Sequence, residues 1–374
     1  MPKSIQIKIN PQVLIWAREE AGYKKEEIAG KLKIPTSRYI DWELGKEDIP
    51  LGYLKKIANH FKRQLAVFLL PAPPPKIKKP RDFRNLALSR EGLSPDILLA
   101  IRRTGKYLSL AARIAGNAYW KNQYQWLMDI KTLKTGYAED IIKMTDWLRH
   151  RLKISPEDQK KFYGINDAFQ KWRNSIENEL GVFVFQFDMP DNEVDGFSYA
   201  EHQPPYAIVI NKNIPAVRKI FTLFHELAHI FRHQSGICQT EQDHFEKSIE
   251  LECNEFAGKF LVPDPEVQPI TNIEEITTFA RQYHVSREVY LRRNLERQLI
   301  SRDDFFTLLS EIREIPIPPR RKPKGYPTPP NSSKSTRGKK FFDLVLNAVC
   351  ENKIDYLSAS DALGLGYSYI AAYE

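Results

Sequence analysis

The sequence predicts a multidomain, mainly α-helical chain with one small β-sheet: an N-terminal helix-turn-helix bundle, a helical middle and an α+β core. Three observations predict it. Apolar residues recur at spacings of three and four through most of the chain, the signature of helices with one buried face. From Gly181 the pattern changes to short runs rich in Val, Ile and Phe, bounded by Gly, Pro or Asn, which read as strands. Prolines gather in two stretches, around 71–80 and 316–340, where neither pattern holds. With 374 residues there is room for two or three cores. These breaks divide the chain into 1–70, 71–89, 90–180, 181–315, 316–340 and 341–374.

The charge is uneven. The net charge is +9, yet Lys and Arg exceed Asp and Glu by ten over residues 1–90, so the remainder is near neutral. A basic surplus at one end suits a polyanion-binding module joined to a neutral body. The three cysteines, Cys238, Cys253 and Cys350, form no C-x-x-C pair. That argues against a disulfide scaffold and a cysteine-type zinc site, and fits a reducing cytoplasm. Residues Met1–Lys8 carry no apolar signal core, and the apolar run Leu65–Leu70 stops at Pro71, far short of a membrane span. The expectation is a cytoplasmic protein with no membrane partner.

In the first segment, helices are expected over about Pro11–Ala21, with Gly22 as stop, and Lys24–Leu32, with Ile28, Ala29 and Leu32 on one face. A third runs over Thr36–Leu44, with Thr36 as N-cap and Gly45 as stop, and a fourth over Leu51–Phe61. Lys33-Ile34-Pro35 turns the chain between the second and third, as a helix-turn-helix requires. Thr36, Ser37, Arg38 and Tyr39 open the third helix, where they can reach base edges and phosphates, while Lys24, Lys25 and Lys33 face the backbone.

Ala21-Gly22-Tyr23-Lys24-Lys25-Glu26-Glu27-Ile28-Ala29, Ile40-Asp41-Trp42-Glu43-Leu44-Gly45-Lys46 and Leu54-Lys55-Lys56-Ile57-Ala58 resemble the phage-repressor-type (Xre/Cro) helix-turn-helix. In that pattern an A-G-x-x-Q-E-E-x-A helix leads to a W-E-x-G end of the recognition helix. Lys25 stands where the family usually has a DNA-contacting glutamine, and a lysine holds a phosphate as a point charge. The resemblance implies binding of double-stranded DNA through Lys25, Thr36, Ser37, Arg38 and Tyr39, with a homodimer on paired half-sites.

Pro71–Pro80 reads as a stiff, extended linker, followed by Asp82-Phe83-Arg84. The middle reads as helices over Pro95–Ala115, Ala118–Ile130, Ala138–Arg151 and Pro156–Leu180, with Tyr119, Trp120, Trp126, Trp147 and Trp172 as packing core. Val182–Phe185, Gly196–Tyr199 and Ala207–Asn211 are the strands, beside helices at about Val217–His233 and His244–Leu261. Residues 316–340, rich in Pro, Lys and Ser, read as a mobile linker, and 341–374 as a helical hairpin, Phe341–Glu351 then Ser358–Leu363.

The most specific signal is Phe221-Thr222-Leu223-Phe224-His225-Glu226-Leu227-Ala228-His229-Ile230-Phe231. Histidines four apart lie on one helix face and can reach one ion, and Glu226 flanks the place where water would be activated. This is the H-E-x-x-H arrangement of zinc metalloproteases. Catalytic zinc normally takes a third protein ligand. Downstream candidates are His233, His244, Glu246, Glu250, Glu252 and Glu255. His233, a further turn along, has rotated away from His225, and a metzincin-type third histidine is absent, which leaves a glutamate of the next helix.

That helix, Glu250-Leu251-Glu252-Cys253-Asn254-Glu255-Phe256-Ala257-Gly258-Lys259-Phe260-Leu261-Val262-Pro263, taken with the H-E-x-x-H segment, resembles the ImmA/IrrE metallopeptidase family. The family carries an F-T-x-x-H-E-x-x-H helix and a later E-x-x-x-N-x-x-A…L-x-P helix. The resemblance implies a zincin-like core of the gluzincin type over 181–315, binding Zn2+ through His225, His229 and Glu250. Glu226 would be the general base and Asn254 a packing or supporting residue. Glu252, on the other side of the helix, is the main competitor to Glu250. Tyr199, His202 and Tyr206 are open candidates for oxyanion stabilisation. The implied role is a DNA-binding regulator that cleaves a repressor-type protein in mobile-element, toxin-antitoxin or stress control. The competing expectation is a non-proteolytic repressor or antitoxin, partnered by a cognate toxin, whose metal domain senses or binds.

Overall fold

A computed structural model of the chain describes residues 5–75, 93–133, 137–190, 192–200, 203–233, 244–316, 325 and 327–373. They form two compact units that divide between Gly105 and Lys106. The Asp82-Phe83-Arg84 motif lies outside the described residues.

In the first unit, β1 (Gln6–Ile7) and β2 (Ile49–Pro50) pair antiparallel beside α1 (Pro11–Ala21), α2 (Lys25–Leu32), α3 (Thr36–Glu43) and α4 (Leu51–His60). Asn10 caps α1 by accepting from the Gln12 amide, and Pro11 takes the first helical position, where its missing N–H costs nothing. The helix stops at Gly22 in the left-handed region (φ 76°). Ile28, Ala29 and Leu32 are the buried face of α2, and with Val13, Leu14, Trp42, Ile57 and Phe61 they build one core. One expectation shifts by a residue. Pro35, not Thr36, is the N-cap of α3, because its fixed φ of −59° suits the extended position before the first turn.

The second unit takes in most of α5 (Pro95–Gln123), then α6 (Trp126–Thr132), α7 (Tyr137–Leu152), α8 (Pro156–Lys160) and α9 (Ile165–Ser175). Gly116 breaks the helical path of α5 (φ 78°, ψ 161°), at the gap expected between Ala115 and Ala118. The single helix expected over Pro156–Leu180 is instead interrupted, because Gly164 adopts φ 105°, which glycine tolerates and other residues rarely do. Trp120, Trp126 and Trp172 are buried, whereas Tyr119 is exposed.

The sheet is β3 (Phe183–Phe187), β5 (Ala207–Asn211) and β4 (Gly196–Tyr199) in that spatial order, with β3 parallel and β4 antiparallel to β5. Every residue of the three strands is buried, so both faces are covered. Gly196 decides how near the following helix, α10 (Ala216–His233), can come. A Cβ at that position would lie 2.6 Å from the Val209 carbonyl oxygen and 2.7 Å from Cγ2 of Thr222 on α10. On its other sides α10 meets α11 (His244–Leu261) through Phe224–Phe260 (4.2 Å between centroids) and Phe231–Phe256 (5.8 Å), and α9 through Phe224–Trp172 (5.1 Å). The helices after Gly105 therefore belong to the same unit as the sheet and are not a body of their own.

After α12 (Ile273–Gln282), α13 (Arg287–Glu296) and α14 (Arg302–Glu314), the chain returns to the sheet as α15 (Pro329–Arg337), α16 (Lys339–Cys350), α17 (Tyr356–Leu363) and α18 (Tyr367–Ala371). Here the expectation of a mobile linker over 316–340 is corrected for its described part. Prolines at the start of α15 are compatible with the first turn of a helix, and Ser333 is buried, its hydroxyl donating to the Leu363 carbonyl at 2.7 Å. The physical reason lies in β3, an edge strand. Its Val184 amide donates to Glu177 Oε1 (3.2 Å), Arg173 donates to the Val184 carbonyl, and Arg173 and Gln186 both donate to the carbonyl of Ser335 on α15 (2.7 and 3.0 Å). A buried ion pair and a helix together cover an edge that would otherwise invite another strand. Among the described residues, no helix is long and apolar enough to cross a membrane.

Candidate metal centre

Helix α10 is buried along Leu223, Phe224, Leu227, Ala228, Ile230 and Phe231. That packing leaves the face with His225 and His229 turned toward α11. Opposite them stands Glu250, whose Oε2 is 3.2 Å from His225 Nε2 and whose Oε1 is 3.2 Å from His229 Nε2. The two Nε2 atoms are 3.1 Å apart. One ligand atom from each of the three residues lies within 4.8 Å of the others.

The donor set fits a divalent ion of the zinc type. Asn254 Oδ1 accepts from His225 Nδ1 at 3.0 Å, which puts the ring proton on Nδ1 and turns the Nε2 lone pair toward His229 and Glu250. Two imidazole nitrogens and a carboxylate then meet at one place, a donor set that can hold a cation once His229 gives up its proton. The electrostatics agree. Burial disfavours a charged His229, yet the Cys253 thiol and the Glu250 carboxylate that bond it, with the charge of Glu226 nearby, push its pKa up to about 12. His225 and His229 in turn hold Glu250 well below the usual carboxylate range. Glu226 is 7% exposed and Glu250 is open to solvent, so the place between the ligands has one walled side and one accessible side.

The rivals for the third position part company here. Glu252 forms an ion pair with Arg232 of α10, and Glu255 pairs with Lys259 at 2.8 Å along its own helix. The side chains of His233, His244 and Glu246 lie outside the described residues, as does His202. Tyr206, one of the open oxyanion candidates, is core: it is 1% exposed and meets Tyr124 edge to face at 4.9 Å. Tyr199 is buried in β4. The residue that sequence reasoning missed is Cys253, fully buried, with its thiol bonded to His229. Its spacing held the signal, since three residues after Glu250 is the same helix face.

In the first unit the residues expected to touch DNA separate into two groups. Tyr39 is fully buried, edge to face with Trp42 at 6.1 Å, and burial drives its hydroxyl far above the ordinary tyrosine range. It is a core residue and cannot reach a base edge, which corrects the expectation. Lys25 is half-buried, its Nζ 3.2 Å from Oε2 of buried Glu43, which also accepts from Arg18 Nε at 2.6 Å. Arg38 lies over the rings of Trp42 and Tyr53, 5.5 Å from each centroid, beside half-buried Thr36 and exposed Ser37. The outer surface of α3 is thus carried by Ser37 and Arg38.

A helix-turn-helix bundle in one unit and an H-E-x-x-H helix facing a glutamate helix in the other define a two-part protein, a DNA-binding type of domain joined to a peptidase-like one. Comparison with known families agrees: residues 14–68 match the helix-turn-helix family, and residues 177–294 match the family of the IrrE N-terminal-like domain, Peptidase_M78. The chain carries both domains, and the second contains His225, Glu226, His229, Glu250 and Asn254. Among solved structures, a Mycobacterium tuberculosis transcriptional regulator is similar at 14% identity and a TM-score of 0.31, over 46% of this chain. The match spans half the length of that regulator (50%). No curated protein matches.

Proposed function

We propose that the chain is a DNA-binding regulator whose second unit is a zinc-dependent, zincin-like endopeptidase of the gluzincin type. His225, His229 and Glu250 are its metal ligands, Glu226 its general base, and Asn254 the residue that orients His225. The observation that carries this reading is the convergence of two Nε2 atoms and one carboxylate, all within 4.8 Å, beside a buried carboxylate that ligation does not use. A zinc ion there supplies Lewis acidity toward a peptide carbonyl. Glu226 takes a proton from the attacking water and returns it to the departing amine. An extended segment of another protein would enter from the solvent-open side at Glu250.

The substrate class that suits the architecture is a repressor-type protein, since fusion to a DNA-binding unit brings the peptidase to the operators where such proteins sit. Cleavage would relieve repression of mobile-element, toxin-antitoxin or stress genes. The test is Glu226→Gln, which keeps all three ligands. Incubated with a repressor encoded beside its gene, the purified wild-type chain should cut it and the variant should not, with zinc content equal in both. Equal cutting by the two proteins, or unchanged regulation in cells carrying the variant, would overturn the peptidase reading and leave the non-proteolytic one.

A further inference from the structure

Arg38 keeps 42% of its side chain exposed, yet its guanidinium lies 5.5 Å from the ring centroids of both Trp42 and Tyr53. Those two rings adjoin, 5.5 Å apart and tilted by 50°, and so make one aromatic ledge. Trp42 belongs to α3, as Arg38 does, whereas Tyr53 is the third residue of α4. Lys56 of α4 also lies over the Tyr53 ring, at 5.2 Å, so that ring gathers a cation from each of two helices.

Glu47 is the competing partner. Its carboxylate is 3.9 Å from Arg38 Nε, at the limit of an ion pair, and both side chains are exposed. Pairs of that kind are screened by water and salt and hold a long side chain loosely. A guanidinium is weakly hydrated and stacks well on aromatic faces, where the ring quadrupole attracts it. Trp42 is 1% exposed and edge to face with Tyr39, so its place in the core is set whatever Arg38 does. Tyr53 is half-buried and packs against that core from outside. An arginine that already lies on a ledge has lost part of its rotamer freedom before it meets a base edge or a phosphate.

We propose that Tyr53 is a positioning residue for DNA recognition: with Trp42 it holds the Arg38 guanidinium at the outer surface of α3, ready for the duplex. The proposal rests on the DNA-binding reading of the first unit and assigns Tyr53 no contact with DNA of its own. Without the Tyr53 ring, Arg38 stays charged but is free to swing toward Glu47. Affinity should then fall by roughly three- to ten-fold, the cost of ordering one long side chain on binding.

The test is a double-mutant cycle on the full chain, read by fluorescence anisotropy at fixed salt with a duplex that the wild type selects from a random-sequence pool. Tyr53→Leu keeps apolar bulk against Trp42 and should weaken binding by that factor, with an unchanged thermal melt. Tyr53→Met, also long and apolar, is a second variant read in the same way. Tyr53→Phe keeps the aromatic face and should bind nearly as the wild type does. In an Arg38→Ala background the Tyr53→Leu change should have no further effect, because the side chain it positions is gone. A merely structural role would weaken binding by the same factor with and without Arg38. That outcome, or Tyr53→Leu binding as tightly as the wild type, overturns the proposal and leaves the DNA-binding reading standing. A wild type that retains no duplex from the pool even at low salt defeats the DNA-binding reading, and the proposal with it.

Discussion

Helices α3 and α10 each present a run of residues suited to a function, and packing treats the two runs in opposite ways. On α10 it brings them together: the apolar face of the helix is buried, and that same burial aims His225 and His229 at Glu250. On α3 it takes one away, because Tyr39 is withdrawn into the core, and it draws Lys25 of the neighbouring α2 toward Glu43. The difference follows from what each site needs. A metal centre is made of groups that converge, so a fixed spacing on a buried helix is most of the information. A DNA-reading surface is made of groups that diverge toward solvent, and on a helix of eight residues one turn of rotation decides which of them remain outside.

That contrast can be broken or sharpened by substitution. The largest effect is expected at Glu226→Gln, where the loss of a general base should slow cleavage by about 10²–10⁴-fold with the fold intact, as read by initial rates on the cleaved partner. Next is Tyr39→Ala. If Tyr39 is core, it should destabilise the first unit by about 3–5 kcal/mol in denaturant unfolding, while Tyr39→Phe should leave DNA affinity nearly unchanged. An unaltered melt with lost DNA binding would return Tyr39 to the reading surface. Arg38→Ala should weaken duplex binding by about 1–3 kcal/mol in a gel or anisotropy titration without changing the far-UV spectrum, and Ser37→Ala less. The smallest effect belongs to Lys25→Ala, which removes one partly exposed partner of Glu43 and leaves Arg18 in place. Solvent screening limits its stability cost to roughly 0–1 kcal/mol.

Much of the fold was legible because its punctuation is local. Gly22 ends α1 and Asn10 begins it through bonds made within a turn, and the strands Gly196–Tyr199 and Ala207–Asn211 are bounded by residues that stop them. What escaped depended on distant partners. Nothing near Ser333 signals burial, which arises because the edge of β3, about 150 residues earlier, needs cover. Gly164 looked like one more residue of a long helix until its positive φ split α8 from α9. In the metal centre, the spacing of His225 and His229 could be read directly. The difference between Glu250 and Glu252 could not, because it depends on Arg232 of the neighbouring helix, which forms an ion pair with Glu252.

The two glutamates of α11 face different partners, Glu250 the histidines and Glu252 Arg232. The most direct test is the zinc content of the purified chain after dialysis, measured for the wild type, Glu250→Ala and Glu252→Gln. The arrangement of His225, His229 and Glu250 predicts one zinc per chain in the wild type and in Glu252→Gln, and loss of most of it in Glu250→Ala. Zinc retained in Glu250→Ala but lost in Glu252→Gln would contradict it.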